Sequence, residues 1–277
     1  MKRLKSFFLL LALAAAAAGL PSAAQAVVTI ETQAEEAFLV DYETGAVLLD
    51  KNADRLMPPS SMSKLMTAYM VFEQLQDKRL SLDDLLTVSE KAWRKGGSKM
   101  FVEVGNQVRV EDLLRGVIVQ SGNDACIVLA EGLAGSEEAF AEQMTEAARE
   151  LGMTESTFRN STGWPDPNHL MTARELAILA KHTIQDHPEY YHYYSEKEFT
   201  WNGIRQGNRN PLLYRNVGAD GLKTGHTEDA GYGLTASAIQ NGRRLILVVN
   251  GLPSMQARAD ESDRLLSWGF REFDNYA

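Results

Sequence analysis

Strand patterns stand at both ends of this chain and helical patterns fill its middle, an order that few folds satisfy. Ala37 to Asp41 and Val47 to Asp50 are short apolar runs either side of Glu43-Thr44-Gly45, a hairpin signal. Tyr232 to Ile239 and Leu245 to Asn250 are joined around Asn241-Gly242, a dipeptide that readily adopts the turn of a tight hairpin. Glu198 to Trp201 reads as one more strand. Between the two ends, helical spacing runs from about Ser61 to Gln76, Val110 to Gln120, Asp124 to Leu133 and Glu137 to Leu151. A further helix starts at Thr172, with Glu175 placed as a capping box, and stops before Pro188. A last one spans about Ala259 to Trp268. The expectation is a single α+β unit in which both termini pair in one antiparallel sheet and the helices pack on it.

The first 26 residues read as an export leader and not as part of that fold. Lys2, Arg3 and Lys5 precede an apolar run from Phe7 to Leu20, and Ala24-Gln25-Ala26 offers the small-x-small pattern of a signal-peptidase site. The run is shorter than the roughly 20 residues of a membrane-spanning helix. The mature chain is therefore expected to be residues 27–277, with no transmembrane span of its own. The leader carries three cations and no acid, so its removal takes the formal net charge from −9 to −12. Such acidity excludes broad nucleic-acid binding, which depends on neutralising phosphates. The lone Cys126 excludes an internal disulfide despite the export signal, and its apolar setting predicts a buried, inert thiol.

Three short motifs carry chemistry. In Ser61-Met62-Ser63-Lys64 the serine and lysine are three apart, so on a helix the hydroxyl and the amine share a face. A serine needs a base to become a nucleophile, and a lysine serves if burial, a helix N-terminus or a second cation disfavours its charge. Ser121-Gly122-Asn123 falls between two expected helices, where Ser121 can relay a proton and Asn123 can hold a substrate carbonyl. Lys223-Thr224-Gly225, followed by His226, precedes a strand; Lys223 and Thr224 suit a carboxylate, and Gly225 lets substrate backbone lie on a strand edge. Taken singly, each has a bland explanation: a capping serine, turn chemistry, a lysine in a turn. Together, in this order and with gaps of 60 and 102 residues, they match the set known from penicillin-binding proteins and class A β-lactamases.

At these residues the chain resembles the low-molecular-mass penicillin-binding proteins, the serine-type D-alanyl-D-alanine carboxypeptidases. The likeness runs from about Glu36 to Phe273 and includes Lys197 to Ile204 and Asp220 to Thr227. It implies a β-lactamase/transpeptidase-like fold, an antiparallel sheet of about five strands flanked by a helical cluster. It also implies an acyl-enzyme on Ser61, with Lys64 as base and Ser121 passing a proton to the departing D-alanine. The Ser61 and His226 amides would form the oxyanion hole, while Lys223, Thr224 and Arg209 surround the terminal carboxylate and Arg258 lies near the site. The implied partners are peptidoglycan stem peptides and, as covalent inhibitors, β-lactams; no cofactor or metal is called for. Cleavage of D,D cross-links, β-lactam hydrolysis and a non-catalytic penicillin-binding scaffold are the alternatives on this fold. The resemblance and the leader place the protein in the periplasm. The chain stops soon after Trp268-Gly269-Phe270-Arg271, so the relatives' β-rich second domain and C-terminal amphipathic anchor are not expected. No glutamate stands where it would activate a deacylating water; Glu175 reads as a cap.

Other signals carry less. His182, His187 and His192 lack a second ligand group, so zinc is not expected. Tyr190, Tyr191, Tyr193 and Tyr194 read as packing before a sugar platform, and Asp166 and His169 as a turn at the site rim.

Overall fold

The two terminal hairpins do pair with each other. A computed structural model describes residues 30–274, so the leader lies outside the described residues. Strands β1 (Glu36–Asp41) and β2 (Val47–Lys51) form the first hairpin, and β8 (Gly231–Gln240) and β9 (Arg243–Leu252) the last. Together with β7 (Ala219–Thr227) they make one five-stranded antiparallel sheet in the order β2-β1-β9-β8-β7. This is the expected β-lactamase/transpeptidase-like α+β fold.

Between β2 and β7 the chain builds the helical cluster. It comprises α1 (Lys64–Gln76), α2 (Glu90–Arg94), α3 (Val110–Ile118), α4 (Asn123–Ala134), α5 (Glu137–Glu150) and α6 (Ala173–Asp186). Two small two-stranded pieces complete it: β3 (Leu85–Thr87) with β4 (Gln107–Arg109), and β5 (Glu198–Trp201) with β6 (Ile204–Gly207). Helix α7 (Met255–Glu272) closes the other side of the sheet.

Period-two alternation produces this layering. Ala37, Leu39, Leu247 and Val249 face α7, whose Leu265, Leu266 and Trp268 cover them. The intervening Phe38, Ile246 and Val248 face the helical cluster. Each such side chain removed from water stabilises the fold by roughly 1.5–3 kcal/mol. Helix α1 is buried nearly all round, as Leu65, Met66, Ala68, Tyr69, Val71, Phe72 and Leu75 attest, and it is the rod around which the cluster packs. The tyrosines serve packing: Tyr191, Tyr193 and Tyr194 are buried, and Tyr190 stacks on Phe72 with centroids 5.3 Å apart.

Several boundaries differ from the sequence expectation. The residues just before α1, Ser60–Ser63, wind as a tighter 3-10 turn. Helix α7 starts earlier than Ala259 because Ser254 caps it, accepting from the Ala257 amide. Thr172 caps α6, but Glu175 does not complete the reciprocal box; its carboxylate accepts from the Glu155 amide and the Ser156 hydroxyl instead. Strand β7 was not expected over Lys223-Thr224-Gly225, because its glycines and polar residues break the apolar alternation that marks a strand.

Asp41 and Arg243 tie β1, β9 and α7 together. The guanidinium donates to Asp41 at 2.7 Å and also to the carbonyls of Gly269 and Phe273. Burial of Asp41 acts to raise its pKa, yet the Thr44 amide and the Arg243 charge hold it below the usual value. Replacing Arg243→Met removes the only cation, among the described residues, from a carboxylate that is 1% exposed and leaves it the Glu43 and Thr44 donors. We expect a loss of about 3–5 kcal/mol in urea unfolding, against about 1 kcal/mol for the exposed Arg205→Met.

Candidate active site

Ser61 lies in the 3-10 turn and Lys64 is the first residue of α1, so helical geometry brings them together. Lys64 Nζ is 2.9 Å from Ser61 Oγ. The same nitrogen donates to Asn123 Oδ1 at 2.7 Å and to the Thr162 carbonyl at 2.5 Å. Lys64 is 1% exposed. Burial pushes its pKa down to about 8, and the Arg209 and Lys95 charges push the same way. As a neutral amine it has two N–H groups for its two firm acceptors, and its lone pair is left facing the serine hydroxyl.

The second motif sits between α3 and α4. Ser121 takes a left-handed backbone, φ 58°, which turns its side chain back toward the third motif. Lys223 Nζ donates to Ser121 Oγ at 3.0 Å. Asn123 spans the site, accepting from Lys64 and donating to the Gly96 carbonyl at 2.9 Å. Its neighbour Asp124 is fully buried and accepts from the amides of Met100, Phe101 and Val102, holding the loop that carries Ser98.

The third motif lies within edge strand β7 and not ahead of a strand. Lys223 is 2% exposed, and its pKa falls well below the usual value, through burial first and then the Lys64 and Arg209 charges. Gly225 has a different reason from the one expected. A Cβ there would stand 2.8 Å from the Pro59 carbonyl and 3.1 Å from Ser60, so its absence seats β7 against the serine's own turn. His226 is exposed and stacks on Tyr232 at 3.9 Å; Arg258 of α7 lies over the same tyrosine at 5.7 Å.

The three motifs share one cleft of about 430 Å³, lined by Ser61, Ser121, Thr224, Arg209 and Arg258 among others. Arg209 donates to the Ser98 hydroxyl, and Arg258 Nε has no partner among the described residues. Arg209 and Arg258 thus line one end of the cleft, with buried Lys223 bonded to Ser121 beside them, and no carboxylate of the chain is among its lining residues. That end can receive an anion, while the Ser61 end has a nucleophile and a base.

Sequence reasoning did not single out Thr162, Gly163, Ser98, Asp124 or Glu137. Glu137 accepts from the amide and hydroxyl of Ser161, which places the Thr162 carbonyl over Lys64. Gly163 gave a faint signal in Thr162-Gly163-Trp164-Pro165, a turn-like stretch. The others look like ordinary polar residues until the loops are packed. Glu175, bonded to Glu155 and Ser156, lines no part of this cleft, and Cys126 is buried with a pKa pushed up to about 12 by burial. Among the described residues no His, Cys, Asp and Glu group suited to a metal occurs, and no helix is long and apolar enough to cross a membrane.

Comparison with known proteins gives one consistent result. The sequence model for D-alanyl-D-alanine carboxypeptidase, peptidase S11, matches residues 22–254. The D-alanyl-D-alanine carboxypeptidase DacC of Escherichia coli is 46% identical over 92% of this chain and 66% of its own length. DacA of Haemophilus influenzae is 44% identical over 86% of this chain and 62% of its own. The chain therefore spans slightly less than two thirds of these relatives. Penicillin-binding protein 5 of Haemophilus influenzae superposes with a TM-score of 0.86 at 43% identity, over 88% of this chain and 73% of that one. Ampicillin-bound penicillin-binding protein D2 of Listeria monocytogenes gives 0.80 at 31% identity, covering 88% and 99%.

The Gly163 position offers a clean test of how tightly the site is packed. Its φ is +73° and an added Cβ would fall 1.9 Å from the Ser60 carbonyl, whereas Gly105 has φ +79° and open space. Gly105→Ala is expected to cost about 1 kcal/mol for the left-handed backbone alone. Gly163→Ala should lower Tm at least about twice as far in calorimetry, because the loop must also retreat from Ser60 and Lys64.

Proposed function

From the premise that the chain belongs to the D-alanyl-D-alanine carboxypeptidase family of serine peptidases, we propose that it removes the terminal D-alanine of peptidoglycan stem peptides. Ser61 gives its proton to Lys64 as Oγ bonds to the carbonyl carbon between the two D-alanines. The backbone amides of Ser61 and His226 stabilise the oxyanion. The C–N bond then breaks as Ser121 delivers its proton to the departing amine and regains one from protonated Lys64, leaving an ester on Ser61 and Lys64 neutral again. Water hydrolyses the ester and releases the shortened peptide. Lys223, Thr224, Arg209 and Arg258 receive the terminal carboxylate, with Asn123 near the acyl carbonyl. β-Lactams acylate the same oxygen.

One observation carries this reading: Lys64 is buried, its two hydrogen-bond acceptors are supplied by Asn123 and Thr162, and its third direction is Ser61. Work in the periplasm, after cleavage behind Ala26, is part of the same proposal and rests on the leader pattern of residues 1–26.

The primary test is release of D-alanine from diacetyl-Lys-D-Ala-D-Ala. Ser61→Ala is expected to lose at least about a thousandfold in kcat and all covalent labelling by fluorescent penicillin. Normal turnover by that variant would refute the mechanism. The pH profile follows from the sign of the Lys64 shift. Only the neutral amine accepts a proton, so with a pKa of about 8 roughly a tenth of the enzyme is competent at pH 7. The kcat/KM is expected to rise with pH through about 8 and then level. Lys64→Arg, permanently cationic, should abolish turnover at every pH.

A further inference from the structure

Arg209 reaches the cleft as a charge that the chain does not neutralise. Its guanidinium donates to the Ser98 hydroxyl; burial lowers its pKa, and no carboxylate among the described residues raises it. Burial also lowers the pKa of Lys64, Lys223 and Arg258, and the Arg209 charge adds to that lowering in all three, the sign of mutual repulsion. A cation on an exposed loop, repelled by three others, would swing out into water unless something held it.

The hold is on the backbone, from the residues on either side. Asn208 and Asn210 are 7% and 1% exposed, although Arg209 between them is exposed. Asparagine is ordinarily a surface residue, so two buried ones must have partners for their amides. Asn208 Nδ2 donates to the Glu196 carbonyl at 2.9 Å, and its Oδ1 accepts from the Asn210 amide at 3.0 Å. Asn210 Oδ1 accepts from the Leu212 amide at 3.1 Å and caps the short 3-10 turn Pro211–Tyr214. Its Nδ2 donates to the Gly221 carbonyl of β7 at 2.8 Å. Each side-chain oxygen faces an N–H, which fixes the orientation of both amides. The pair forms a strap behind Arg209, running from Glu196 to β7.

Its anchor on β7 is firm and lies two residues from Lys223. A Cβ on Gly221 would stand 2.6 Å from the Tyr191 hydroxyl. Neighbouring Asp220 accepts from that hydroxyl at 2.9 Å and pairs with Arg244 at 2.8 Å. One side-chain amide thus registers the loop that carries Arg209 against the strand that carries Lys223.

We propose that Asn210 is a positioning residue, which fixes Arg209 relative to Lys223 and so sets the spacing of the charges that receive the substrate's terminal carboxylate. Asn208 backs it by holding the Asn210 amide. Neither asparagine lines the cleft, so each acts through Arg209 and not on the substrate. The inference rests on the carboxypeptidase reading and adds to it what keeps the anion seat in shape.

The test follows release of the terminal residue from diacetyl-Lys-D-Ala-D-Ala and from the same peptide ending in a carboxamide, with wild type and Asn210→Ser. Serine keeps a cap for the 3-10 turn, but its shorter side chain loses the donation to Gly221. On the free acid the variant is expected to raise KM about tenfold and to leave kcat within about twofold, the scale of one hydrogen bond to a charged group. On the carboxamide, kcat/KM should change by less than about twofold. Asn210→Asp keeps the volume and the cap, loses the same donation, and should show the same split if the serine variant does not fold. In an Arg209→Gln background Asn210→Ser should cost nothing further. An equal loss on both peptides would overturn the proposal, by showing that Asn210 supports only the fold. An unchanged KM on the free acid would overturn it too, as would full additivity with Arg209→Gln. Failure of wild type to release D-alanine from the free acid would instead overturn the carboxypeptidase reading, and this inference with it.

Discussion

A buried lysine amine joins three parts of the molecule that are far apart in the chain. Lys64 reaches Ser61 in its own turn, Asn123 at 59 residues' distance and Thr162 at 98. Taking an ammonium out of water is unfavourable, and the fold accepts that cost because the turn before α1, α4 and the 161–163 loop each bring a hydrogen-bond partner to this atom. The lowered pKa and the availability of a base follow from the same burial.

Edge strand β7 supplies the opposing wall. It brings Lys223 under Ser121 and, through the absent Cβ of Gly225, lies against the turn that carries the serine. Asp124 and Glu137 act at one remove. Each spends a buried carboxylate on the backbone amides of a loop, and those two loops place Ser98 and Thr162 at the cleft. A polar residue that looks ordinary in the chain thus becomes a strut once packing supplies its donors.

The same packing divides the surface around Ser61 by charge, with guanidinium groups beyond one side and carboxylates beyond the other. In a chain of net charge −9 the cationic notch is a local exception, and it is formed by residues from β7, α7 and the loop before β7. A single strand or helix could not assemble it.

What could be read from residues alone was whatever depends on neighbours a few positions away. The Ser61–Lys64 pair, the two terminal hairpins, the helix at Glu137 and the Thr172 cap are of this kind, since turn chemistry and periodicity are local properties. Tertiary structure alone decided the rest. It made a strand of the polar segment at Lys223, gave Glu175 to a neighbouring loop, found Thr162 as an acceptor for Lys64, and seated Gly225 against Ser60. Desolvation and long-range hydrogen bonds depend on which surfaces come together, and that information is spread over the whole chain, not held in any one segment.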